Sequence, residues 1–191
     1  MSERGHTVVE MLLVVAIIMV LAATAVPTLK AYAQEAHALG AGRLFKVQFL
    51  KARSIAIRTN TQTAIRFEEA PDGTYSYSLF RDGNHNGVLT EDIRSGKDLL
   101  LAGPLPLNGG ASDVRIGINP GVPAIPPDRG ILDTRDPVRF GRSNMLSFSP
   151  LGTATPGTFY VAGPFLQTAV RVNPATARVR LLVYRGKWVE K

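Results

Sequence analysis

The sequence predicts an α+β chain in which one long amino-terminal helix, apolar in its first half, packs on an antiparallel β-rich head. Three observations lead there. Residues 11–26 form an almost unbroken apolar run. Phe45, Phe49, Ala52 and Ala56 then recur at the spacings of a helix face. After Asn60 the pattern alternates with a period of two and is punctuated by turn residues.

The apolar run carries a carboxylate, Glu10, at its leading edge. An acid inside lipid costs about 2.5 kcal/mol or more and marks a function with a partner. Read as a secretory signal, the block offers Ala23-Thr24-Ala25 as a small-residue cleavage site. Against this stand a leader with Arg4 as its only basic side chain and the acids Glu3 and Glu10. Read as a plain anchor, residues 11–26 are a little shorter than the roughly 20 residues a bilayer core requires. Residues 7–9 bring the run near that length, with Glu10 held at the water boundary. Neither reading gives the carboxylate a purpose.

Residues 29–58 continue the helix, with Leu44 and Val47 beside the Phe/Ala series. Pro27 lacks a backbone donor and predicts a kink. Gly40 and Gly42 each weaken a helix by about 1 kcal/mol relative to Ala, so residues 36–42 are expected to be its softest part. Residues 63–67 and 75–80 are strand-like and flank Pro71-Asp72-Gly73, a turn signal, so they predict a hairpin. Residues 101–137 are rich in Pro and Gly and are expected to be surface loops. Further strands are expected at 145–148, 158–161, 169–172 and 178–184, the last two joined by Asn173-Pro174-Ala175-Thr176. One antiparallel sheet laid on the second half of the helix would bury both apolar faces.

Bulk composition limits the chemistry. Cysteine is absent, which excludes a disulfide frame, a thiol nucleophile and a thiolate metal site. Twenty-two Lys and Arg against 15 Asp and Glu leave a formal charge of +7, which favours anionic partners such as nucleic acid or phospholipid and equally serves solubility. There is no G-x-S-x-G and no P-loop, and His6, His37 and His85 lie in separate regions without H-E-x-x-H spacing. The chain reads as a non-enzyme.

Two stretches carry candidate binding groups. Asp82-Gly83-Asn84-His85-Asn86-Gly87 matches the first half of a calcium loop, with oxygen side chains at alternate positions and a Gly at the bend. The twelfth position is Ile93 where a bidentate Glu belongs, and Glu91 and Asp92 fall early. Asp82, Asn84, Asn86, Glu91 and Asp92 are thus the candidate ligands of an irregular calcium site; a polar turn held by Asn and Gly is the competing reading. At the carboxyl end, Arg178, Arg180, Arg185, Lys187 and Trp188 form a basic, aromatic-tipped segment. Its cations suit phosphates and its indole suits stacking on a base, which makes DNA a candidate partner. A solvated cationic edge that discourages strand-to-strand aggregation is the competing reading.

Arg4-Gly5 followed by His6-Thr7-Val8-Val9-Glu10 resembles the type IV prepilin signature: a leader ending in Gly, then a mature start with Thr second and Glu fifth. Pro27 stands where that family's helix carries a proline, whereas His6 replaces the more usual Phe or Met. LKARSIAIRTNTQTAIRF at 50–67 and LSFSPLGTATPGTFYV at 146–161, followed by AVRVNPATARVR, resemble the GspH/FimT branch of minor pilins and pseudopilins. The resemblance covers both ends of the chain and leaves the middle loops aside. ARVR at 177–180 is similar, with Ala177 in place of Gly, to the Gly-Arg-x-Arg motif of FimT-like minor pilins associated with DNA uptake.

The resemblance implies a pilin-like fold, cleavage by prepilin peptidase between Gly5 and His6, and N-methylation of His6. It divides the chain into a leader at 1–5, a transmembrane and assembly segment at 6–28, a head-packing half at 29–58 and a β-rich head at 59–191. The implied function is that of a minor pseudopilin, a structural subunit of a type II secretion pseudopilus or a related type IV pilus-like filament; the alternative is a DNA-binding minor pilin for uptake. Such a subunit crosses the inner membrane once, holds its head in the periplasm, and joins a periplasmic or surface filament through the helices of other pilins or pseudopilins. Cleavage would place a new α-amine on His6, one helical turn from Glu10. In a bundle, Glu10 of an incoming subunit would pair with a neighbour's amine, strengthened by the low dielectric. Such a pair sets register more than it adds stability.

Overall fold

The structure is a computed structural model that describes residues 7–107 and 113–191. Helix α1 spans Val8–Thr59. It starts at a capping box: the Thr7 hydroxyl accepts the Glu10 N–H at 3.3 Å, and the Glu10 carboxylate accepts the Thr7 N–H at 2.8 Å. It stops at Asn60, whose left-handed backbone (φ 48°) directs its N–H to the carbonyls of Ala56 and Ile57. The helix is assigned without interruption through Pro27, and the hydroxyls of Thr24 and Thr28 bond to carbonyls in the preceding turn.

Every residue from 7 to 30 is exposed, and the helix there is long and apolar enough to cross a membrane. Farther along, Ala38, Ala41, Gly42, Phe45, Phe49, Ala52 and Ala56 are buried along one stripe, at the spacings expected. The AHALGAG segment departs from expectation. A Cβ on Gly42 would lie 2.8 Å from Leu181 Cδ1 and 3.1 Å from Thr168 Oγ1, so this glycine lets the helix approach the sheet closely. Gly40 faces open space. What reads as weakness in an isolated helix is, at Gly42, a fit to its neighbour.

The remaining elements are β1 (Thr63–Glu69), β2 (Tyr75–Arg81), α2 (Thr90–Ser95), β3 (Leu99–Pro106), β4 (Arg115–Ile116), β5 (Val138–Arg139), β6 (Met145–Phe148), β7 (Gly157–Ala162), β8 (Gln167–Val172), β9 (Val179–Tyr184) and β10 (Trp188–Glu190). They build two antiparallel sheets where one was expected. The first has the order β3-β2-β1-β6; the second runs β10-β9-β8-β7-β4, with β5 also paired to β7. The predicted hairpin β1–β2 and the hairpin β8–β9 are both present, the latter turned by Asn173, whose side chain accepts from the N–H of Ala175.

Helix α1 packs on both sheets. Phe45 meets Phe159 edge-on at 4.6 Å between ring centres, and Phe49 touches Phe67, Phe140 and Phe159. In the second sheet the paired row Val138, Phe159, Val170, Leu181 is wholly buried on the face toward this cluster. The neighbouring row, Arg139, Thr158, Arg171, Arg180, therefore points the other way.

Residues 101–137 are more than surface loops. Their start lies in β3, and Ile118, Val122, Ile125 and Leu132 are buried with Tyr160, Ala169 and Leu182 in a second, smaller core. Isolated apolar residues between prolines carry no period, yet each covers the outer face of the second sheet.

Candidate functional site

The amino-terminal candidates divide. Gly5 and His6 lie outside the described residues. Glu10 sits in the first turn of α1, its carboxylate closing the cap on Thr7. A carboxylate near a helix amino terminus is favoured by the helix dipole, worth about 0.3–1 kcal/mol at an exposed site. Pro27 sits in the exposed apolar half, before the first buried residue of the helix.

The loop after β2 is a closed hydrogen-bond network. Asp82 Oδ1 accepts the N–H groups of Asn84 and His85 at 3.0 and 2.7 Å, and Oδ2 accepts that of Gly87 at 2.8 Å. Asp98 accepts the N–H groups of Gly83 and Leu89. The side-chain amides of Asn84 and Asn86 both donate to Asp92 Oδ2, and Lys97 Nζ lies 3.2 Å from Asp92 Oδ1. These donors, Asn86 first, hold the Asp92 carboxyl below the ordinary carboxylate range. The structure thus gathers Asp82, Asn84, Asn86 and Asp92 but turns amide nitrogens, an ammonium and backbone N–H groups onto the carboxylates. Among the described residues no three His, Cys, Asp or Glu side chains converge as a metal site. Glu91 stands apart from the network, exposed on the first turn of α2. His85 adopts φ 65° at the bend. A polar turn held by Asn and Gly makes contacts of this kind.

At the carboxyl end the structure brings Arg178 and Arg180 together, both on Glu190 of β10, at 3.0 and 2.7 Å. The Glu190 carboxyl is held down by the Arg180 hydrogen bond first, then by the charges of Arg180 and Arg178. Arg185 pairs instead with Glu35 of α1, and Lys187 is exposed on the tight β9–β10 turn. Trp188 is half-buried rather than a free stacking face: its indole N–H donates to the Pro123 carbonyl at 2.9 Å, and its ring packs against Tyr160 and Tyr184. An amphipathic ring beside apolar neighbours gains more from that packing than from water. Ala177 is buried with φ 47°, a conformation Gly reaches more cheaply.

His37 is half-exposed, with Nδ1 3.0 Å from Asp113 Oδ1. Sequence reasoning missed Arg139 and Arg171; strand alternation places Arg171 opposite the buried Val170 and Val172, which is the signal that was available. No protein-family model, curated protein or solved structure matches the chain.

Proposed function

We propose that the chain is a minor pseudopilin or pilin-like structural subunit, cleaved by prepilin peptidase after Gly5, held in the inner membrane by the first half of α1, with a periplasmic head, and drawn into a filament through that helix. One observation carries the reading. Among the described residues a single helix, Val8–Thr59, is apolar and exposed as far as residue 30, then becomes the buried spine of a β-rich head. An apolar stretch that its own chain leaves bare requires lipid or other subunits around it. Glu10 lies where both needs meet, at the helix end nearest the proposed new α-amine. The measurement that decides it is the mass of the chain purified from its native host. Cleavage after Gly5 gives a product starting at a methylated His6; a product starting at Val26 would eliminate the helix and the proposal with it.

A DNA-binding minor pilin is the second reading, and one observation favours it. Ala177 takes up the left-handed backbone despite replacing the Gly of the motif it resembles, and Arg178 follows with a side chain 68% exposed. Salt-dependent retention of DNA, lost in Arg178→Ala/Arg180→Ala, is the result this reading requires.

A further inference from the structure

The paired row Arg139, Thr158, Arg171, Arg180 crosses β5, β7, β8 and β9 on the face turned away from α1. Arg171 and Arg180 are direct cross-strand partners, a placement of like charges that destabilises a strand pair unless something anionic lies between or beside them. Each guanidinium does hold a carboxylate: Arg139 that of Asp136 at 3.2 Å, Arg171 that of Asp128 at 2.9 Å, and Arg180 that of Glu190 at 2.7 Å. Arg178 shares Glu190, and among the described residues Arg129 makes no ion pair. Five guanidiniums thus meet three carboxylates, which leaves two positive charges in one small region.

That region is concave. A cleft of about 460 Å³ opens there, walled by Arg129, Arg139, Arg171 and Arg180 and floored by Thr158. The side chains of Arg139 and Arg171 are 33% and 27% exposed, so both are partly desolvated and held in place. Arg139 is fixed further by the Asp136 carbonyl at 3.0 Å and lies 5.8 Å above the Tyr160 ring; Arg171 also donates to the Ile125 carbonyl. Beside these forks, Tyr160 and Leu132 give the cleft an apolar wall.

We propose that this cleft is an oxyanion site that takes a phosphate dianion or a small phosphomonoester. The chemistry separates it from a carboxylate site. The resident carboxylates are monoanions with two oxygens each, Glu190 already divided between Arg178 and Arg180, whereas a phosphomonoester brings about −1.5 to −2 charge and three strong acceptor oxygens. Its higher charge neutralises the surplus, and its third oxygen lets it bridge more guanidiniums than a carboxylate can. Tyr160 and Leu132 in the same lining suit an apolar substituent on the ester. Neither the proposed filament helix nor Arg185, Lys187 or Trp188 lines the cleft.

The test uses the full chain in detergent micelles, titrated with inorganic phosphate and with phenyl phosphate, against chloride at matched ionic strength. Saturable binding of phosphate is expected, weakened about tenfold or more in Arg139→Gln/Arg171→Gln by loss of two charged forks, with Arg43→Gln as an unaffected control. Tighter binding of phenyl phosphate identifies an ester as the ligand; equal binding identifies the free ion. Asp128→Asn removes a competitor from an exposed loop and is expected to bind phosphate roughly threefold more tightly. A single-stranded oligonucleotide should not displace phosphate. Phosphate no better than chloride, full binding in the double variant, or unchanged or weaker binding in Asp128→Asn would each overturn the assignment. So would an oligonucleotide that competes for the cleft.

Discussion

Residues 8–30 and 38–56 belong to the same helix, yet they satisfy opposite requirements. The first stretch is mostly apolar and, among the described residues, exposed along its whole length, so the fold supplies it no cover. The second is apolar on one stripe, graded from Ala38, Ala41 and Gly42 to Phe45 and Phe49, and its environment is supplied by two sheets of the same molecule. The difference teaches that the fold supplies burial to one half of its helix and leaves the other half exposed. Substitutions in the first stretch should be silent in the isolated head, and substitutions in the second should be felt there.

The largest expected effect falls on the outer half. In the proposed filament, Glu10→Ala abolishes assembly while membrane insertion and the melting of the head stay as in the parent chain; wild-type filaments from this variant would remove the registration role. Next comes the inner half. Phe49 is 1% exposed and touches three other rings, so Phe49→Ala should cost about 3–5 kcal/mol in denaturant unfolding, whereas Val14→Ala should leave that transition in place. Equal losses in the two variants would erase the contrast between the halves.

The two glycines sharpen it within a single turn. Gly42→Ala pushes a methyl to 2.8 Å from Leu181 and 3.1 Å from Thr168, with an expected cost of about 1–3 kcal/mol. Gly40→Ala meets nothing within 4 Å and should stabilise by up to about 1 kcal/mol through helix propensity. Thermal melts of the pair should move in opposite directions; movement in the same direction would mean that helix propensity, and not the approach of the sheet, governs this turn.

The smallest effects belong to the loop after β2. The Asp92 carboxyl is lowered in the folded chain by Asn86, Asn84 and Lys97, so the stability it contributes is complete above its ordinary value of 3.8 and is lost as pH falls below that. Asp92→Asn should flatten the acid limb of the stability profile, and an unchanged limb would show that the carboxylate is idle. Added calcium should leave the melting temperature where it is. A calcium-dependent rise would favour the cation-binding reading of Asp82, Asn84, Asn86, Glu91 and Asp92.

Much of this architecture was legible from local pattern. The helix stripe, the β1–β2 hairpin with its Pro71-Asp72-Gly73 turn, and the strands β6 to β9 follow from periods and turn chemistry that act over a few residues. Pairings between distant segments were not legible. β1 takes β6 as its second neighbour, Thr63 opposite Phe148, and nothing in either strand's alternation names the other, so one sheet was expected where two exist. Trp188 shows the same limit at a candidate site: basic neighbours in sequence suggested an exposed ring, but its partners are Pro123, Tyr160 and Tyr184. In the acidic loop, spacing identified the oxygen-bearing residues but not that Asn84 and Asn86 would turn their nitrogens to Asp92.

The unbroken passage of α1 from bare segment to spine has a mechanical consequence. A pull on the amino-terminal end travels along the helix axis and reaches the head first at Glu35, held by Arg185, then at the Ala38 carbonyl beside Thr168, then at Gly42 against Leu181. Thr168 and Leu181 belong to β8 and β9, which sit inside the sheet rather than at its rim, and Arg185 directly follows β9. Traction is therefore shared as shear among several attachments instead of peeling them one after another. The head is built so that it can be towed by its helix without being unravelled.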